Sequence, residues 1–408
     1  MKRYSCPVDN SAILYLALMR KRHTNIFRFT MHMTEPVDPD ALNRAMERVW
    51  KRFPTILCGF KPDFFGFTQV QTAEPPRALP DPGVLDMMSK KEISECAYRL
   101  YYSGCDLIFE SFHAVTDGFG SLASFTTLVA EYLRIRYGVE IPVELTLRDL
   151  DQEPQDFELE DSYLRHCDAK PMHIKSRYSY QLPGDYDHPT VRPTIRQYPL
   201  DAVLAAAKGQ GVSLNTFLSG VMALSVMEVQ KKHRKKLLPV RIMVPADLRR
   251  LFSSATLRNF ILYALPTMEP GEENLPTAEL MAKFQADIKS QLAPERLRSI
   301  VSYNVKTQKN PFFRALPRVI KCAAMRTAYK YFGESNSSIT LTNLGNVRFP
   351  DAMDPYIQGL DVVLTPRAGS PYNCGVLACK GSLGISISRF HEEPELIDIF
   401  FRRLEELL

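Results

Sequence analysis

Two stretches in the first half of the chain have the apolar alternation expected of β-strands. The first spans 25–33 and the second spans 105–113, where Ser111 and His113 fall on one face because side chains two positions apart in a strand point the same way. Between the stretches, Asp38 followed by proline is typical of a helix start, and apolar residues then recur at helical spacing. The pattern predicts a strand, an amphipathic helix, and a second strand that ends at His113.

The second half of the chain repeats this mixture of elements. A polar, proline-rich stretch over 152–193 has little periodicity and predicts a crossover between two domains, with the boundary near 175. Beyond it, the pattern predicts a strand at 194–198, a buried helix near 215–230 and several later strands before a closing helix. Strands and helices in both halves predict two α/β layered domains, 1–175 and 176–408.

His113 stands between the second strand and a helix predicted over 120–137, and Asp117-Gly118 marks a turn between them. A histidine at a strand end can project into a cleft, where its ordinary pKa of about 6.5 leaves it largely neutral and basic. This suits a general base, and Asp117 can hold the loop by accepting hydrogen bonds or by pairing with an arginine. The alternative interpretation is a core or surface histidine, which is the commoner fate of a single residue.

Three other chemistries fit this region less well. Residues 118–123 match the loose Gly-x-Gly-x-x-Ala form of a dinucleotide-binding loop, but 138–142 is not the long buried strand that such a unit requires. Ser111 lacks the flanking glycines of a hydrolase nucleophile elbow. A metal site is not expected, because two candidate ligands are too few.

The composition and the net charge serve mainly to exclude classes of function. The 408 residues are 45% hydrophobic and 24% charged, with a formal net charge of +5, so a nucleic-acid partner is not expected without a focused basic patch. The one dense basic run, 231–236, is interpreted either as a solvated helix end or as a contact for the phosphates of a ligand. No run approaches the ~20 apolar residues of a membrane span. We therefore expect no stable membrane insertion and a cytoplasmic location.

The segment 113–118, His-Ala-Val-Thr-Asp-Gly, resembles the His-x-x-x-Asp-Gly signature of the chloramphenicol-acetyltransferase-like superfamily of CoA-dependent acyltransferases. Two later parts are similar to family segments in the family's order: 245–250 followed by 258–260, and 342–345. Three matching segments in the family's order indicate the superfamily more specifically than a single motif does. The resemblance is closest to bacterial alcohol acetyltransferases, polyketide-associated acyltransferases and condensation-domain-like proteins, because the Asp-Phe-Gly-Trp-Gly segment of plant members has no counterpart.

This resemblance implies two acetyltransferase-like α/β sandwich domains that form a pseudo-dimer with a tunnel between them. His113 is then expected to take a proton from the acceptor as it attacks an acyl thioester. Asp117 is expected to be structural and to pair with Arg249, and Gly118 to let the backbone turn tightly beside the site. Further residues that the resemblance suggests as tunnel or substrate contacts are Ser111, Asn259, Thr342 and Asn343.

The resemblance also implies acyl-CoA as a co-substrate, no tightly bound cofactor, and a small-molecule alcohol or amine as acceptor. Two alternatives stay open: a stand-alone condensation enzyme that uses an acyl carrier protein, and a non-catalytic binding or scaffold member of the fold. A monomer is expected, because both halves of the tunnel lie in one chain. Two departures stand out: Phe112 replaces the first histidine of many condensation domains, and Arg258 replaces a glycine, which leaves the role of Asn259 open.

Overall fold

The structure, a computed structural model, describes residues 3–20, 24–174, 176–184, 190–367 and 370–408. Strands and helices are numbered separately in chain order. The strands are β1 (Ser5–Pro7), β2 (Ile26–Met33), β3 (Cys58–Pro62), β4 (Phe67–Gln71), β5 (Ala78–Pro80), β6 (Leu85–Asp86), β7 (Tyr98–Ser103), β8 (Asp106–Phe112), β9 (Thr190–Pro199), β10 (Val240–Asp247), β11 (Ile261–Ala264), β12 (Thr267–Met268), β13 (Ile339–Val347), β14 (Ile357–Leu364), β15 (Tyr372–Cys379) and β16 (Ser382–Arg389).

The helices surround and separate these strands. They are α1 (Asn10–Leu18), α2 (Pro39–Arg52), α3 (Lys90–Glu95), α4 (Gly118–Tyr137), α5 (Asp156–Leu159), α6 (Ser162–Arg165), α7 (Leu200–Gly209), α8 (Leu214–His233), α9 (Arg249–Phe252), α10 (Thr277–Gln291), α11 (Pro294–Lys309), α12 (Pro311–Ala315), α13 (Arg318–Phe332) and α14 (Glu395–Glu405). The predicted α2 is confirmed, because the Asp38 side chain accepts hydrogen bonds from its first turn and proline is its first residue.

A five-stranded sheet, in the order β14-β2-β8-β7-β5, forms the framework of the first half. Strands β2 and β8 are antiparallel, with Phe29 opposite Phe109. The ring of Phe125 on α4 lies 6.2 Å from the Phe29 ring and 5.5 Å from the Phe109 ring. Aromatic packing of this kind fixes α4 against the sheet, because buried rings contribute large contact areas and prefer specific geometries.

The larger sheet has the order β11-β10-β13-β15-β16-β9-β6, and β12 also pairs with β10. Strand β13 runs parallel to both β10 and β15, whereas β15 and β16 are antiparallel. Every residue of β15 is buried, and the apolar residues of α8 and α14 share its core. Residues Cys374 to Cys379 form the apolar run expected of a buried strand, and the side chain of the polar Asn373 donates to the Thr365 carbonyl over 2.9 Å.

The two sheets exchange strands. Strand β14 belongs to the second half of the sequence but pairs with β2, and β6 belongs to the first half but pairs with β9. The hydroxyl of Ser386 donates to the Val362 carbonyl over 2.5 Å, and that of Ser388 donates to the Leu364 carbonyl. These bonds join β16 of the larger sheet to β14. The sheets are therefore interlocked across the predicted boundary at 175, which itself stays a prediction.

Helix α4 corrects one local prediction. Asp117-Gly118 does not form a separate turn; Asp117 caps the helix and Gly118 is its first residue. Every residue of this helix from Gly120 to Leu133 is buried. Its small polar residues fit this environment because their hydroxyls bond to the preceding turn, as Thr126 does to the Leu122 carbonyl over 2.7 Å.

The described residues contain few features of membrane, metal-binding or disulfide-linked proteins. No single helix among the described residues is long and apolar enough to cross a bilayer. Among these residues, only the pair α7 and α8 is long and apolar enough when the two helices are taken together, and that pair is bent by 80°. In the same residues no group of three or more His, Cys, Asp or Glu side chains could hold a metal ion. The cysteines are free thiols.

His32 ties three strands of the five-stranded sheet together. Its Nε2 atom lies 3.0 Å from an oxygen of Asp361 on β14, and its Nδ1 atom lies 2.7 Å from an oxygen of Asp106 on β8. The hydrogen bond to Asp361 is the largest influence on the imidazole, and with Asp106 it raises the pKa of His32 to about 9 despite the opposing effect of burial. A charged imidazole therefore holds β14 to the sheet at neutral pH.

We expect His32→Gln to reduce the free energy of unfolding by about 1 kcal/mol at neutral and mildly acidic pH, because the ion pairs are partly exposed. The folded-state pKa of about 9 lies above the unfolded value, so the stabilisation is complete below the unfolded pKa and is lost as pH rises through 9. Urea titrations of both proteins across this range measure the difference. A difference that persists undiminished in strong alkali would contradict the charged pairing.

Candidate active site

His113 immediately follows β8, and its backbone N–H donates to the Asn25 carbonyl over 2.8 Å. Its ring packs against two aromatic side chains. The Tyr15 ring stacks on it with the centroids 4.2 Å apart, and the Phe27 ring lies 4.1 Å away at a tilt of 47°. The strand and the two rings thus fix the imidazole in one orientation, and the residue stays partly exposed.

The two ring nitrogens of His113 have different surroundings. Nε2 lies 3.1 Å from the hydroxyl oxygen of Tyr15. Nδ1 is buried and, among the described residues, makes no hydrogen bond; the same holds for Oδ1 of Asn259. Burial lowers the pKa of His113 to about 4, although the histidine's own backbone, the Asn259 side chain and the Thr116 backbone oppose that shift. The imidazole is therefore neutral at physiological pH.

Asp117 organises the loop that follows His113. Its carboxylate accepts from the backbone N–H groups of Phe119 and Gly120 over 3.1 and 3.4 Å, which caps α4. It also accepts two hydrogen bonds from the guanidinium of Arg249, of 2.9 and 3.1 Å, and one from the backbone N–H of Phe260, of 2.8 Å. One buried carboxylate thus joins the start of α4 to a segment from the second half of the chain.

Arg249 has its other donors satisfied as well. Its guanidinium donates to the carbonyls of Thr256 and Arg258 over 2.7 and 2.6 Å and to a carboxylate oxygen of Asp247 over 2.8 Å. It also lies over the ring of Phe119, 4.6 Å from its centroid. A buried charge is tolerated only when it is paired and hydrogen-bonded, and Arg249 meets both conditions.

Gly118 has a different role from the one predicted. Its backbone conformation is an ordinary helical one, so no tight turn requires glycine. A Cβ atom there would lie only 2.4 Å from Cδ2 of Leu344, and one on Gly120 would lie 2.3 Å from the Leu257 carbonyl oxygen. Gly120 has no room for a Cβ atom because the neighbouring atom belongs to the backbone of the segment after α9, whereas at Gly118 the Leu344 side chain of β13 would have to move.

The segment that carries Asn259 also contacts the loop of His113. The amide nitrogen of Asn259 donates to the Ala114 carbonyl over 3.3 Å and to Asp9 over 3.4 Å. Arg258, which stands where the family has glycine, is buried and points toward the N-terminal segment: its guanidinium donates to the Pro7 carbonyl over 2.6 Å and lies 3.8 Å from Asp9. Arg258 therefore helps to anchor the start of α1.

The remaining residues predicted as tunnel or substrate contacts are Ser111, Thr342 and Asn343. Ser111 is buried in β8, and its hydroxyl makes no hydrogen bond to any described residue. Thr342 and Asn343 lie in β13; the Asn343 side chain donates to Asn215 over 2.6 Å and accepts from the Gly345 N–H over 2.8 Å. Asn343 thus connects β13 to the start of α8. The next residue, Leu344, lies beside Gly118, where the loop that follows His113 ends.

The basic run 231–236 is a solvated helix end engaged with nearby carboxylates. Lys231 forms an ion pair with Glu273, and both Lys232 and His233 contact Glu395. These partners neutralise part of the run.

Tyr15 and Asp9 were missed by the sequence analysis. Tyr15 lies on α1, whose first turn is capped by the Asp9 side chain. Burial raises the pKa of Tyr15 well above its ordinary value, so its hydroxyl stays neutral beside His113. The sequence signal was the capping aspartate ahead of a short apolar helix, but nothing in the pattern indicates which distant residue such a helix covers.

Comparison with known proteins gives a likeness of fold. No protein-family profile and no curated protein sequence matches the chain. Solved structures match along nearly the whole length. Polyketide synthase associated protein 5 from Mycobacterium tuberculosis is 14% identical with a TM-score of 0.66, covering 97% of this chain and 96% of its own.

Two further matches come from other kinds of protein. TRI101 of Fusarium sporotrichioides, solved with coenzyme A and T-2, is 12% identical with a TM-score of 0.63, covering 99% of this chain and 97% of its own. The starter condensation domain of a rhizomide synthetase, solved with C8-CoA and Leu-SNAC, is 14% identical with a TM-score of 0.59, covering 99% and 93%. The predicted fold class is confirmed: the chain has the two-domain, chloramphenicol-acetyltransferase-like α/β fold of the CoA-dependent acyltransferases and condensation domains.

Proposed function

We propose that the protein transfers an acyl group from a thioester to a hydroxyl or amine, with His113 as the general base. The observation that carries this proposal is a neutral imidazole whose Nε2 already lies 3.1 Å from a hydroxyl oxygen, that of Tyr15. That distance is the hydrogen-bonding reach that a general base needs toward the proton it removes.

Tyr15 indicates where the acceptor binds. Its hydroxyl occupies the position beside Nε2 that an attacking hydroxyl requires, so the acceptor takes the place of the Tyr15 hydroxyl during the reaction. Burial raises the pKa of the Tyr15 phenol well above its ordinary value, so the phenol does not ionise beside His113. A change in the Tyr15 rotamer or a small shift of α1 opens the position.

Nδ1 of His113 and Oδ1 of Asn259 form a second part of the proposal. Both are buried without a hydrogen bond, and Asn259 acts to raise the pKa of His113. A proton on Nδ1 leaves the lone pair of Nε2 free to accept, and Asn259 is the polar group that stabilises the imidazolium formed during the reaction. Asn259 is thus a positioning residue of the proposed site.

The reaction proceeds without an acyl-enzyme. Nε2 of His113 removes the acceptor proton as the acceptor oxygen or nitrogen attacks the thioester carbonyl, and the tetrahedral intermediate then breaks its carbon–sulfur bond. The imidazolium returns the proton to the sulfur, which leaves as a thiol. General base catalysis contributes about 10²–10⁴-fold, and orientation of the two substrates contributes much of the rest.

The proposed donor is acyl-CoA, and the proposed route to His113 is a tunnel between the domains, 1–175 and 176–408. Support comes from proteins of the same fold that were solved with coenzyme A or C8-CoA. A carrier-bound thioester presents the same reacting atoms, so donor trials should include both forms. In this scheme the Asp117–Arg249 pair is structural, and Ser111, Thr342 and Asn343 remain candidates for the walls of the tunnel.

Acyl transfer is tested by incubating the purified protein with acetyl-CoA, octanoyl-CoA or a carrier-bound thioester and a panel of alcohols and amines. Free thiol and the acylated product are measured together. We expect acceptor-dependent release, and a loss of at least about 100-fold in His113→Ala, because the general base is removed. His233→Ala is the matched control, since that histidine lies on the exposed end of α8.

Release without an acylated product would indicate thioester hydrolysis. Equal turnover by His113→Ala would contradict the role of this histidine. Thioester or CoA binding without turnover in the full panel would favour the alternative, a non-catalytic member of the fold.

We expect Asp117→Asn to reduce the free energy of unfolding by about 3 kcal/mol, because it leaves the buried Arg249 without its main counter-charge. Asp247→Asn is the matched control: Asp247 also contacts Arg249, but its side chain is 36% exposed and the change should cost less than about 1 kcal/mol. Urea denaturation of the three proteins provides the comparison. Equal costs for the two variants would show that the Asp117 pair has no special weight.

A further inference from the structure

A patch of exposed apolar side chains lies far along the chain from His113 in two segments that meet in the fold. Exposed aromatic residues Phe64 and Phe65 form the turn between β3 and β4, and Phe312 on α12 is 87% exposed. On α13, Val319 is 70% exposed and Ile320 is also exposed. We call these five residues the aromatic patch. Single exposed apolar residues are ordinary, but a cluster marks an interaction surface.

Hydrogen bonds join the two segments into one surface. The backbone N–H of Arg318 donates to the Phe64 carbonyl over 2.8 Å, and its guanidinium donates to the Asp63 carbonyl over 2.9 Å. The ammonium of Lys321 donates to the Phe65 carbonyl over 2.7 Å and lies 6.0 Å from the centre of the Phe65 ring. The exposed rings are thus presented by a hairpin that is fixed to α13.

Cations outnumber carboxylates in the two segments that carry the aromatic patch. Segments 61–66 and 309–321 contain five cations, Lys61, Lys309, Arg314, Arg318 and Lys321, and a single carboxylate, Asp63. That carboxylate is occupied locally, because it accepts from the backbone N–H groups of Phe65 and Gly66 over 2.8 and 2.6 Å. Exposed rings in segments rich in cations match an anionic, partly apolar partner.

We propose that the aromatic patch binds the surface of an anionic lipid bilayer. Aromatic and aliphatic side chains enter the boundary between headgroups and acyl chains, and the side chains of Lys61, Lys309 and Arg314 extend to the phosphates. An anionic bilayer complements this charge, because the cations outnumber the carboxylates in these segments. Each cation near an anionic membrane adds to the attraction.

The position of α13 gives such binding a consequence for the active site. The guanidinium of Arg326 on α13 donates to the Ala17 carbonyl at the end of α1 over 2.6 Å, and Asn10 at its start donates to Gln308 of α11 over 2.6 Å. Helix α1 carries Tyr15, so the membrane-binding helices support the element that covers His113.

Vesicle binding tests the proposal without reference to activity. The full-length protein is sedimented with vesicles of phosphatidylcholine alone and with vesicles of phosphatidylcholine and phosphatidylglycerol. We expect binding to the mixed vesicles, weakened by high salt, and little binding to the neutral ones. The double variant Lys309→Glu, Arg314→Glu should bind at least about 25-fold more weakly, since each cation contributes roughly fivefold. Phe65→Ser with Phe312→Ser should also lose most of the binding.

The control variant Lys235→Glu, Lys236→Glu removes the same number of cations from the basic run 231–236, which lacks the exposed rings. Its binding should stay close to that of the unaltered protein. Equal loss in this control, or no binding to either kind of vesicle, would overturn the proposal. A dimer that is lost in Phe65→Ser with Phe312→Ser, in a protein that ignores vesicles, would instead make the patch a contact between copies of this chain.

Discussion

The buried ion pair between Asp117 and Arg249 is the interaction on which the arrangement of the site depends. One carboxylate caps α4, accepts both guanidinium hydrogen bonds and receives the N–H of Phe260. Removing two charges from water is costly, so such a pair is a weak source of net stability. It does specify geometry, because few other positions of the Phe260 segment relative to α4 would satisfy so many buried groups. His113 lies just ahead of this junction.

Around the histidine, burial keeps the imidazole uncharged, and the Tyr15 hydroxyl lies 3.1 Å from its Nε2 atom. Stacking by Tyr15 and Phe27 excludes water and keeps the imidazole uncharged. The same burial makes His113 a weaker base. In the proposed reaction, the fixed orientation of the imidazole and the stabilisation of the imidazolium by Asn259 must offset the low pKa of His113. Helix α1 completes this environment, and its contacts with α11 and α13 connect it to the aromatic patch.

Local patterns predicted the elements whose signals lie within a few residues. The strand before His113 and the capped helix at Pro39 came from alternation and helix-capping rules. Strand β14 and helices α10 to α13 were not predicted: β14 is an eight-residue strand with mixed exposure, and α13 is largely exposed and lacks a clear apolar face. The family motif identified Asp117 and Arg249, yet the contact of Tyr15 with His113 depends on tertiary packing that no local pattern encodes. Gly118 was identified for the wrong reason, because the closeness of Leu344 is visible only in three dimensions.

The protonation state of His113 is the most direct test of this account. Nitrogen NMR of the histidine-labelled protein, with the His113 signal assigned from His113→Gln, follows the charge of this one ring as the pH falls. We predict that it stays neutral well below the ordinary histidine pKa and titrates near 4. A ring that gains its proton near 6.5, as a solvated histidine does, would contradict the buried, oriented base on which the proposed chemistry rests.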